Sequence, residues 1–96
     1  MRPPADTQVG DDDVATVRAI AAGCEAAFAR FYTAWFPASL VLAKAVSRRD
    51  EAFCLDVVQD VMLKVARRMP ALRDAAAVRA WMAASVRNAI TDRLRT

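Results

Sequence analysis

Histidine is absent from the sequence, which removes the commonest general base at neutral pH and the usual nitrogen ligand of zinc. Cysteine occurs only at Cys24 and Cys54, which do not form a CxxC pair, so a Cys/His zinc site cannot be built and free thiols are expected. Glycine is limited to Gly10 and Gly23, too few for a Gly-rich phosphate loop, and there is neither a Ser-His-Asp set nor a metal-binding carboxylate motif. The expectation is a protein that is not an enzyme and carries no cofactor or metal. No segment alternates β-branched and polar residues between turn signals, which argues against strands. No apolar run approaches the roughly 20 residues that span a bilayer. The start, Met1-Arg2-Pro3-Pro4, lacks the apolar stretch of a signal peptide. A cytoplasmic protein without membrane insertion is therefore expected.

What remains is a short, alanine-rich chain of 96 residues, 56% hydrophobic, enough for one all-α domain around one core. Its charge is unevenly placed. Up to Asp60 nine acids face six bases; beyond it Lys64, Arg67, Arg68, Arg73, Arg79, Arg87, Arg93 and Arg95 face only Asp74 and Asp92. A basic C-terminal third suggests an anionic partner, nucleic acid first, although helix-surface arginines are often only solubilising.

Residues 1–10, with two prolines and little apolar content, read as a disordered tail. A short first helix starts at Asp11-Asp12-Asp13, whose carboxylates suit a helix N-terminus, turns Val14, Val17, Ile20 and Ala21 inward, and ends at Gly23. From Glu25 a second helix carries Phe28, Phe31, Tyr32, Trp35 and Phe36, then Leu40, Val41 and Ala43, at spacings of three and four. Such an aromatic face is either core or a base-stacking platform, and its density favours core. Pro37 either kinks this helix or starts a new one, and a kinked, continuous element is favoured. Asp50 caps a third helix that runs to about Met69 before Pro70. Its inward face is Cys54, Val57, Val58, Val61, Met62, Val65 and Met69; Asp56, Gln59, Asp60 and Leu63 lie opposite. Leu63 among acids is either a partner contact or one harmless exposed leucine. After a loop over residues 70–74, Asp74 caps a fourth helix from Ala75 to about Arg95. Val78, Trp81, Met82, Ser85, Val86, Ala89 and Ile90 point inward, and Ala84, Arg87, Asn88, Thr91 and Arg95 share another face. That face offers donors for phosphate and base edges, or is simply solvated.

The order of these residues is more specific than their chemistry. Asp56-Val-Val-Gln-Asp-Val-Met-Leu-Lys-Val-Ala-Arg68, then Val78-Arg-Ala-Trp-Met, then Val86-Arg-Asn-Ala-Ile-Thr-Asp-Arg-Leu-Arg95 resembles region 2 of the sigma-70 family, most of all its extracytoplasmic-function (ECF) subgroup. Gly23-Cys-Glu-Ala-Ala-Phe28 and the aromatic run to Pro37 and Leu40 resemble the start of that region, so the likeness extends from Val14 to Thr96. It implies a compact bundle of three main helices plus a short N-terminal helix, spanning residues 11–96. It also implies a module that docks on the β′ coiled coil of RNA polymerase core and recognises and melts the promoter minus-ten element, with an anti-sigma factor as a possible further partner. On this resemblance polymerase binding falls on Asp56, Gln59, Asp60 and Leu63. DNA binding falls on Arg87 and Asn88, with Lys64, Arg67, Arg79 and Arg95 holding phosphate and the 70–74 loop helping to form a base pocket for the non-template strand. Trp81 matches a family tryptophan near the melting edge, while its angular position suits the core. Two features depart from the pattern. Ala83 and Ala84 stand where many relatives have an aromatic and a basic residue. No region 4 helix-turn-helix follows before Thr96, so the expectation is a region 2 module alone, either excised or naturally short.

Overall fold

Helix ends form where side chains or left-handed residues satisfy the polar groups that a terminus leaves open. The computed structural model describes residues 11–95: α1 spans Asp11–Ala21, α2 Glu25–Ser47, α3 Glu51–Arg68 and α4 Ala75–Arg95, with no strand among the described residues. The expected tail, residues 1–10, lies outside the described residues. Gly23, at φ 94°, closes α1: its N–H donates to the Ile20 carbonyl and the Cys24 N–H to the Ala19 carbonyl, both at 2.9 Å. This paired closure needs a left-handed residue, which glycine supplies without a Cβ penalty. Cys24 then opens α2, its Sγ accepting from the Ala27 N–H at 3.4 Å. Both aspartates identified as caps perform that role: Asp50 Oδ1 accepts from the Phe53 N–H at 3.0 Å, and Asp74 Oδ1 from the Ala77 N–H at 2.8 Å. The second helix runs unbroken past Pro37, the continuous element favoured above.

The core is a bundle in which α3 touches all three other helices. Cys54, Val57, Val58, Val61, Met62 and Val65 are each no more than 2% exposed, and Met69 is also buried, so the inward face of α3 is the one that its period indicates. Around it close Val17 and Ile20 of α1, Ala27, Phe31 and Ala43 of α2, and Val78, Met82, Val86 and Ile90 of α4. The short first helix is thus part of the core. Phe31 carries Trp35 stacked on it at 5.7 Å, and Phe28, Tyr32 and Phe36 form a second row with centroids 6.0 and 5.3 Å apart. All five aromatics belong to the core or pack against it, so they serve packing.

Two inward assignments need correction. Val41 is 67% exposed because it stands two residues before buried Ala43, about 200° around the helix. Ala21, in the last turn of α1, is also exposed. Trp81 and Ala89 do pack against the core but stay partly exposed, because their side of α4 meets the margin of α3, where Lys64 and Asp60 lie.

The junction of α2 with α3 is the one place among the described residues where a side-chain-bearing residue takes the left-handed conformation, with Arg48 at φ 56° and its N–H donating to the Lys44 carbonyl at 3.0 Å. The Cβ of an L-residue is disfavoured there. Arg48→Gly is expected to raise the stability of the chain by about 0.5–1 kcal/mol, measured as a higher urea midpoint with an unchanged slope.

Candidate functional site

Once α3 is seated by its valines, one narrow strip of it faces solvent. Asp56 and Gln59 are exposed, Leu63 is 52% exposed, and Arg67, four residues beyond Leu63, continues the same line. Asp60 is half-buried, and the reason lies on α4. Arg93 reaches across to it, Nε donating to Oδ2 at 2.6 Å and Nη2 to Oδ1 at 3.2 Å, while Nη1 stands 3.8 Å from Asp56 Oδ2. This planar, two-bond arrangement is the strong form of an arginine–carboxylate pair. The hydrogen bond with Asp60 raises the Arg93 pKa above its ordinary value, against partial desolvation and with help from the charges of Asp60 and Asp56. The side chains remain 38%, 39% and 57% open for Arg93, Asp60 and Asp56, so solvent still screens the cluster.

On sequence alone Arg93 counts only toward the basic balance of the C-terminal third. The signal that could have found it is the pair Asp56 and Asp60: two carboxylates one helical turn apart make a seat for a single guanidinium. Which arginine fills that seat depends on how α3 and α4 pair, and no local pattern carries that information.

On α4, Arg79, Arg87, Asn88, Thr91 and Arg95 are all exposed, together with the small residues Ala80 and Ala84. Thr91 Oγ1 donates back to the Arg87 carbonyl at 3.1 Å, so this hydroxyl is turned along its own helix. Asn88 stands at the edge where α4 meets α3 and lines a groove of about 210 Å³ with Asp60, Val61, Lys64, Ser85, Ala89 and Asp92. Lys64 is not on the open face: its Nζ donates to Ser85 Oγ at 3.3 Å and stands 5.1 Å from the centroid of the Trp81 ring. The residues assigned to DNA thus fall into groups. Arg79, Arg87, Asn88 and Arg95 lie open on α4, Arg67 is exposed on α3, and Lys64 and Trp81 lie together at the junction of the two helices. The groups are not isolated from the acidic strip, because Arg93 ties that strip to α4.

The loop between α3 and α4 is held at both ends. Met69 is buried and Leu72 packs against the core, and Asp74 caps the helix that follows. A second opening, of about 590 Å³, lies where this loop meets α1, lined by Val14, Ala15, Arg18, Arg73, Asp74, Ala75 and Ala76. Among the described residues there is no group of three or more Cys, Asp or Glu side chains placed to hold a metal ion. No helix there is long and apolar enough to cross a membrane.

Both faces of the α3–α4 pair fall within the stretch that decides the family, because the sequence profile of sigma-70 region 2 matches residues 31–96. The chain belongs to the sigma-70 region 2 family. No curated protein and no solved structure matches it. Membership gives the domain the role of a sigma-factor region 2 in transcription initiation, with RNA polymerase and promoter DNA as its general partners. Domains of this family are binding modules that catalyse no reaction. The matched stretch begins at Phe31 and covers most of α2 with all of α3 and α4, so the acidic strip, the cationic face and the groove between them all belong to the sigma region.

Beyond the buried Ile90, Arg93 ties the end of α4 to α3. Replacing it with glutamine is expected to leave the global unfolding midpoint nearly unchanged, as for most exposed ion pairs. Amide exchange in the final turn of α4 should become faster relative to the turn before it. The difference between Arg93→Gln and the parent should shrink at high salt, where the ion pair is screened.

Proposed function

We propose that this region 2 domain is of the ECF type and joins two partners through the two exposed faces of its α3–α4 pair. The observation that carries the reading is the orientation of Gln59 and Leu63 on α3 and of Arg87 and Asn88 on α4: all four side chains are exposed, on helices whose opposite sides are buried. On α3, Asp56, Gln59, Asp60 and Leu63 form the docking surface for the β′ coiled coil of RNA polymerase. The acids meet basic side chains and steer the encounter, and Leu63 supplies the small desolvated contact at the centre. On α4, Arg87 and Asn88 contact the minus-ten element, and Arg67, Arg79 and Arg95 hold phosphate from either side. The loop over residues 70–74, pinned by Leu72 and Asp74, contributes to a pocket for an unpaired base of the non-template strand. Strand opening then needs no ATP hydrolysis, because lost base stacking is offset by stacking on protein and by charge contacts.

A second reading is supported by Ala83, half-buried, and Ala84, exposed, on α4. With no aromatic or basic side chain there, the domain would bind polymerase, or a regulator such as an anti-sigma factor, without productive DNA contact. The two readings separate on two measurements. Asp60→Arg and Leu63→Ala are each expected to weaken capture of a β′ coiled-coil fragment by roughly tenfold or more, and unchanged capture by both variants removes the polymerase-docking surface. The double variant Arg87→Ala, Asn88→Ala is expected to weaken binding to a promoter-derived single-stranded oligonucleotide. It should also flatten the salt dependence by about 0.7 in the slope of log K against log salt, because one phosphate fewer is neutralised. Absence of any binding by the parent chain at low salt favours the second reading.

A further inference from the structure

Lys64 is half-buried, one turn beyond Asp60 on α3, and its side chain leaves its own helix for α4. There the ammonium meets two residues that are themselves one turn apart. It donates to Ser85 Oγ at 3.3 Å and sits 5.1 Å from the centroid of the Trp81 ring. Ser85 is only 3% exposed, so its hydroxyl is a fixed acceptor. Trp81 packs against the core without being enclosed by it. An ammonium over an indole is attracted by the negative face of the ring, more so where water is partly excluded. The ring is therefore contacted by the apolar margin of the core and by a cation anchored on a buried hydroxyl, and it stays partly exposed.

A lysine whose role is to hold phosphate keeps its ammonium in open solvent, where it exchanges counterions for DNA. The Lys64 ammonium is already engaged inside the chain. We infer that Lys64 is a positioning residue: anchored on Ser85, it fixes the Trp81 indole so that the exposed part of the ring can stack on an unpaired base. The inference rests on the DNA reading of the α4 face, and it moves Lys64 from the phosphate-binding set to a role exercised through another side chain. It also gives Trp81, packed against the core yet partly exposed, a position that serves packing and recognition together.

The test uses the full 96-residue chain in a Trp35→Phe background, so that Trp81 is the sole tryptophan. Lys64→Met keeps the apolar stem and removes the ammonium, and Lys64→Arg keeps a cation. The probe is a randomised single-stranded oligonucleotide, titrated over a range of salt concentrations, alongside iodide and acrylamide quenching of Trp81 fluorescence in the free protein. For Lys64→Met the expected results are increased acrylamide quenching and an affinity lower by roughly threefold to tenfold, with the salt slope unchanged. Lys64→Arg should recover most of both. A salt slope lowered by about 0.7 with unaltered Trp81 fluorescence would make Lys64 a phosphate ligand and overturn the inference. The Trp81→Ala variant distinguishes the two layers of the argument. If it binds the oligonucleotide as tightly as the parent, the stacking role is wrong; the quenching measurement still reports whether Lys64 holds the ring.

Discussion

The rotation of α3 about its own axis is the constraint on which both surfaces depend. Val57, Val58, Val61 and Val65 are 0–1% exposed, and β-branched side chains hold essentially one χ1 rotamer in a helix, so they leave little room for repacking. A turn of about 100°, one residue's worth, would draw these valines toward solvent and push the acidic strip toward the core. Exposing four valines at about 1.5 kcal/mol or more each would use up most of the stability of a small domain, roughly 5–15 kcal/mol in total. The strip of Asp56, Gln59, Asp60 and Leu63 is therefore presented as a by-product of a core that admits one register.

This explains how far the sequence could be read. The third helix was legible because Cys54, Val57, Val58, Val61, Met62, Val65 and Met69 recur on one face and because Asp50 and Pro70 bound it. Its outward set followed by subtraction. The fourth helix was legible at its start, where Asp74 caps it, and over Val78, Met82, Val86 and Ile90. It was less so at Trp81 and Ala89, which pack against the core yet stay partly exposed. Period reasoning sorts residues by angle, and at a margin the angle does not decide exposure; the neighbouring helix does. Val41 failed for a different reason: a run of apolar residues along α2 was assigned to one face, although a residue two places from Ala43 lies on the far side.

The interactions that no local pattern could supply are the two that cross from α3 to α4. Lys64 and Arg93 each read as one more base in a basic stretch. Both turn out to be engaged within the chain, Lys64 with Ser85 and Trp81, Arg93 with Asp60 and Asp56. Each depends on which residues of two helices come level, a quantity set by tertiary packing. The basic excess of the C-terminal third is thus an overcount of what is offered to a partner. The cations left on the open side of α4 are Arg79, Arg87 and Arg95, spaced along its length.

Arg93 also makes it possible for opposite faces to coexist on so small a body. The principal extents of the described chain are 43 × 28 × 20 Å, and the Debye length at physiological salt is about 8 Å. Asp60 on α3 is hydrogen-bonded to Arg93 of α4, so its carboxylate lies within that distance of the α4 margin and opposes an approaching phosphate. The Arg93 guanidinium stands at that margin, hydrogen-bonded to Asp60 and within 3.8 Å of Asp56. It offsets negative charge on the side nearest the proposed DNA face while more than a third of the Asp60 side chain and more than half of the Asp56 side chain stay open on the other. A lysine there would place a more mobile point charge, whereas the planar fork of arginine holds both oxygens of Asp60 at once. The division between the proposed docking strip and the proposed nucleic-acid face is thus kept by a residue that belongs to neither.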